Sequence, residues 1–87
     1  MKQPLMFGAA ISYKQKIIKH MSNNNHGRVK DYLLWFADRS ETKVAFINTV
    51  GQEPIDFMKV AGWKLQWSDS KNILMLTAPD GSYYHSD

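Results

Sequence analysis

The sequence predicts an α+β domain, a small antiparallel sheet with one packed helix in the order ββαβββ, preceded by a basic N-terminal arm. Three observations predict it. Residues 63–86 alternate apolar and polar side chains around turn signals, residues 51–62 read as one short capped helix, and "SNNNHG" at 22–27 separates a lysine-rich opening from the rest. The division is then 1–27, arm and Asn-rich linker, and 28–87, the α+β domain. At 87 residues the chain makes one domain at most, with a thin core and no cysteine to staple it.

Within the arm, "AAISYKQKIIKHM" sets Ala10, Tyr13, Ile17 and Met21 near helical spacing, with lysines on the other face. The linker residues favour turns and left-handed backbone. "RVKDYLLWFADRSETKVAFINTV", residues 28–50, reads as two strands joined by a short hairpin loop at "DRSET", because "KVAFINTV" is rich in β-branched residues. Val29, Tyr32, Leu33 and Phe36 also fit helical spacing, so a helix over 28–38 is the alternative.

"GQEPIDFMKVAG" carries Gly51 as a breaker, Pro54 in a first helical turn, Glu53 and Asp56 near the positive end of the dipole, and Gly62 as C-cap. After it Trp63, Leu65 and Trp67 alternate with Lys64 and Gln66, "SDSK" turns, "NILMLTA" is apolar on both faces, and Pro79-Asp80-Gly81 suits a turn before a last strand at "SYYHS".

Charge is unevenly spread. Lys2, Lys14, Lys16, Lys19, Arg28 and Lys30 precede the first acid, Asp31, which leaves five basic and eight acidic residues for the remainder. Such a block suits phosphate or an acidic protein, and equally a solvated tail. The nucleic-acid-binding candidates are Lys14, Lys16, Lys19, Arg28 and Lys30, joined by Lys64 and Lys71 beside the aromatic strands, where Trp63, Trp67, Tyr83 and Tyr84 either stack bases or fill the core. Tyr83 and Tyr84 point to opposite faces, so one of them is exposed.

The histidines His20, His26 and His85 show no metal-ligand spacing and none is placed to activate a serine, so no metal, cofactor or catalytic residue is expected. No apolar run reaches the roughly 18 residues of a membrane span, and the opening lacks a signal-peptide pattern, which together predict a cytoplasmic protein.

Residues 55–81, "IDFMKVAGWKLQWSDSKNILMLTAPDG", resemble the helix and following hairpin of HicA-type toxins, small mRNA interferases with a double-stranded-RNA-binding-like fold. The shared features are a short helix ending in Ala61-Gly62-Trp63, the alternating strand, and the Pro79-Asp80-Gly81 turn. In that family a Gly-Ser-His motif opens the second strand and its histidine serves in RNA cleavage; here the matching residues are Ser70, Lys71 and Asn72. The family's closing helix is also missing. The segment is similar as well to one βαβββ module of glyoxalase and bleomycin-resistance proteins, whose paired modules and metal ligands this chain lacks.

The sequence therefore predicts a non-enzymatic nucleic-acid-associated regulator, with a protein-interaction module such as an inhibitor or antitoxin-like subunit as the alternative and a degenerate HicA-like ribonuclease as a third. A homodimer is expected as well. Ile73, Met75 and Thr77 share one face of their strand and Leu74, Leu76 and Ala78 the other, and one short helix covers one face only.

Overall fold

The computed structural model describes the backbone of residues 7–86 and the side chains from Tyr13 onward, and within these limits four helices come first and three strands follow. The helices are α1 (Phe7–Ser22), α2 (His26–Asp38), α3 (Lys43–Val50) and α4 (Gln52–Val60); the strands are β1 (Lys64–Ser68), β2 (Ile73–Thr77) and β3 (Tyr83–His85). The class is α+β, but the order ββαβββ with a single helix is corrected. Residues 28–50 form α2 and α3 instead of a hairpin, and most of the expected arm is α1.

Helix α2 exists because Val29, Leu33, Phe36 and Ala37 make one stripe at spacings of four, three and one, and all four are fully buried. A strand would have divided that set between two faces. Asn25 caps the helix, its side chain accepting from the Arg28 N–H at 3.2 Å. In α3 the β-branched Val44, Ile47, Thr49 and Val50 favour a strand locally, and packing overrides them. Phe46 and Val50, one turn apart, reach the core together, and the Thr42 hydroxyl accepts from the Ala45 N–H at 3.0 Å. The "DRSET" segment is thus the connection between two helices. Gly51, at φ +80° and ψ 170°, ends α3 and starts α4 in a conformation reserved for glycine.

The segment read as an N-terminal arm is part of the fold: Ile17 is 1% exposed in the core of the molecule, with Tyr13 and Met21 on the same stripe of α1. The Tyr13 ring lies 4.2 Å from that of Trp35 and 5.6 Å from that of Tyr32, and His20 stacks on Tyr32 at 5.7 Å. These contacts hold α1 against α2. Ala10 and Lys2 lie outside the residues whose side chains are described.

Helix α4 ends as its sequence implies. The Gly62 N–H donates to Lys59 O and the Trp63 N–H to Met58 O, the Schellman arrangement, with Gly62 at φ +97°. The sheet is antiparallel in the order β1-β2-β3, with Leu65 opposite Leu76, Trp67 opposite Leu74 and Leu76 opposite Tyr84. These five side chains form the inner face, against which α2 and α4 pack, and one continuous core joins Ile17, Phe36, Met58 and Leu76. At the far end the Leu74 N–H donates to Ser86 Oγ at 2.9 Å and the Ser86 N–H to Leu74 O at 3.0 Å, so the buried Ser86 continues the β2–β3 ladder. Among the described residues no helix is long and apolar enough to cross a membrane.

Candidate functional site

Because side chains alternate along a strand, the residues left over from the inner face define the outer one. Register then arranges them in two rows across the strands, Lys64–Thr77–Tyr83 and Gln66–Met75–His85, with Ser68 opposite Ile73 at one end. The helices lie on the opposite side. None of Ile73, Met75 and Tyr83 packs against the core, and Tyr83 is 55% exposed. The Tyr83 and His85 rings sit 5.6 Å apart, tilted by 37°. His85 Nδ1 is 3.0 Å from the Ser86 carbonyl oxygen, which can only accept. Nδ1 therefore carries the proton, and in the neutral ring Nε2 is an acceptor.

Such a face offers ring surfaces, a thioether, an amide, the hydroxyls of Ser68, Thr77 and Tyr83 and one ammonium, and among the described residues it holds no carboxylate. Asp69 and Asp80 lie in the turns at its two ends. Asp80 is held below the ordinary aspartate value of 3.8, first by the Ser82 backbone N–H, which donates to Oδ1 at 2.9 Å, and then by the Ser82 hydroxyl. It is a fixed negative mark beyond the Tyr83 end.

The structure divides the seven predicted nucleic-acid-binding residues. Lys64 belongs to the outer face and Lys71 to the exposed β1–β2 turn beside it. Lys14, Lys16 and Lys19 project from α1, which packs on α2 and α4 and not in the sheet, and Lys16 lies 5.2 Å from the Tyr13 ring. Arg28 is exposed in the first turn of α2. Lys30 is occupied: its ammonium sits 4.1 Å over the Tyr84 ring and 3.2 Å from Asp31, with the side chain 17% exposed. The seven do not form one patch.

Gln66, Met75 and His85 went unrecognised in the sequence. Period-two alternation counted from Lys64 to His85 would have found them, given the pairing of the strands. Position 72, where the resembling family carries histidine, holds Asn at φ +56°, a left-handed turn conformation that Asn tolerates. The described residues contain no cluster of His, Cys, Asp and Glu able to hold a metal ion. Comparison with protein-family models, curated proteins and solved structures gives no match.

Proposed function

We propose that this chain is a nucleic-acid-binding protein without catalytic activity, which receives a single strand on the open face of its sheet. The observation that supports it is the pair of rows Lys64–Thr77–Tyr83 and Gln66–Met75–His85, free of carboxylates among the described residues. Stacking of bases on rings is sequence-tolerant, and a single ammonium at the margin suits one phosphate chain better than the two of a duplex. Lys71 adds a second ammonium in the β1–β2 turn, at the end of the sheet away from Asp80.

Fluorescence anisotropy with labelled oligouridine and oligothymidine about 12 nucleotides long tests this reading, since one small sheet covers only a few nucleotides. Tyr83→Ala is expected to weaken binding by about 1–3 kcal/mol, the range for loss of one stacked base, without lowering the Tm. Lys64→Ala should reduce the slope of log affinity against log salt by about 0.7. Binding that survives Tyr83→Ala and Lys64→Ala but is lost with Lys14, Lys16 and Lys19 would move the function to α1. Sedimentation at twice 10.1 kDa that Met75→Lys returns to 10.1 kDa would make the face a homodimer surface instead.

A further inference from the structure

The sheet has a second unused feature, the outer edge of β1 at Leu65. The order β1-β2-β3 leaves β1 paired on one side only. Its outward groups can be identified from the ladder. Ser86 N–H donates to Leu74 O and Ala78 N–H to Ser82 O, so the even positions of β2 bond to β3 and its odd positions to β1. Residues 64, 66 and 68 therefore face β2, and Leu65 turns its N–H and C=O to the edge.

Along that edge runs a groove of about 340 Å³, between β1 on one side and α3 and α4 on the other. Its floor carries the apolar Phe46, Ile55, Leu65 and Leu74, and Lys43, Lys59, Gln52 and Gln66 form its polar lining. Among the described residues no carboxylate lines it. Neither lysine forms an ion pair among the described residues, where the two pairs present are Lys30–Asp31 and Arg39–Asp38. The closest acid along α4, Asp56, accepts from the Gln52 side chain at 3.0 Å and borders a different hollow with His26 and Phe57.

We propose that β1 and this groove capture an extended, acidic segment of a partner protein, which adds to the sheet as a fourth strand. Main-chain bonds to Leu65 would supply pairing, every second side chain of the segment would enter the apolar floor, and carboxylates would meet Lys43 and Lys59. A second copy of this chain is a poor occupant, because a twofold pairing of β1 edges would bring Lys43, Lys59 and Lys64 toward their own symmetry mates. A nucleic acid could use the lysines but neither the edge of Leu65 nor the floor.

The probe is a synthetic heptapeptide of alternating leucine and glutamate, titrated into the full chain labelled with ¹⁵N, at low salt. Saturable shifts of the Leu65, Phe46 and Lys59 amides are expected, with the outer-face residues Met75 and Tyr83 unmoved. The exposed pair Lys43→Glu and Lys59→Glu should weaken binding at least about fivefold while leaving the far-UV spectrum intact, as expected for two solvent-screened ion pairs. A heptapeptide with lysine in place of glutamate should not bind. A version N-methylated on alternate residues, unable to pair as a strand, should not bind either. The proposal is overturned if the glutamate peptide leaves these amides unshifted, if the methylated peptide binds as well, or if oligouridine displaces it from the groove. Because the readout is confined to β1, α3 and α4, failure here leaves the open-face reading untouched, and the reverse also holds.

Discussion

Asp80 and Ser86 show how single side chains close this sheet. The depressed Asp80 carboxyl stabilises the turn while it is charged. Its contribution is present above its unfolded value and is lost as pH falls through the lower folded one. Asp80→Asn keeps an acceptor for the Ser82 N–H and removes only the charge. The difference in Tm between the two proteins is therefore expected at about pH 6 and should shrink as the pH is taken below 3.8; a difference unchanged across that range would rule out the charge as the cause. Ser86→Ala takes away the oxygen that accepts from the buried Leu74 N–H. The expected loss is about 1–3 kcal/mol in urea unfolding, the penalty of an orphaned buried donor. Gly62 is constrained twice: it sits at φ +97°, and a Cβ there would stand 3.3 Å from Pro79 Cγ. Gly62→Ala should lower stability by about 1–2 kcal/mol, read from the same urea curves.

At the scale of elements the decisive case is α1. Ile17→Ala is expected to cost about 2–5 kcal/mol, as for a large aliphatic removed from a closed core, while Lys16→Ala beside it should stay within about 0.5 kcal/mol. Equal urea midpoints for Ile17→Ala and the parent would return α1 to the status of a dispensable arm. The spacing of Tyr13, Ile17 and Met21 was visible in the sequence, but whether that stripe had anything to pack on was not, since its partners Trp35 and Tyr32 belong to a segment read as strand. Residues 43–50 misled for a related reason. Four β-branched residues in eight outweigh a lone Thr42 cap until Phe46 and Val50 are seen to share the core. The C-terminal half was legible because turn chemistry is local: Pro79-Asp80-Gly81 and the Gly62 cap specify their own geometry. Lys64, Lys71 and an exposed tyrosine followed from it. The two rows of the candidate site needed the register, and the groove needed α3, which no local pattern revealed.

For the molecule as a whole, one core serves both halves. Trp63 and Trp67 report on the sheet, Trp35 on the α1–α2 contact, and all three pack against the same buried cluster. Thermal unfolding followed by tryptophan fluorescence and by far-UV circular dichroism is expected to give coincident transitions. A separate, earlier loss of fluorescence would show the helices and the sheet melting as two units. The Cα trace spans 33 × 29 × 17 Å, a flattened body in which a single layer of sheet has helices on one side. Such a body has little depth in which to bury a ligand. The surfaces proposed above for recognition are accordingly a face and an edge, which lie on different sides of β1.

The alternation of the strands has an evolutionary consequence. Leu65, Trp67, Leu74, Leu76 and Tyr84 answer to the core, while Lys64, Gln66, Met75, Tyr83 and His85 answer to whatever meets the outer face, and the two sets never share a position. Substitutions in the second set therefore change the outer face without opening the core held by the first. A lineage carrying this scaffold could remake the chemistry of its outer face by a handful of substitutions at alternate residues.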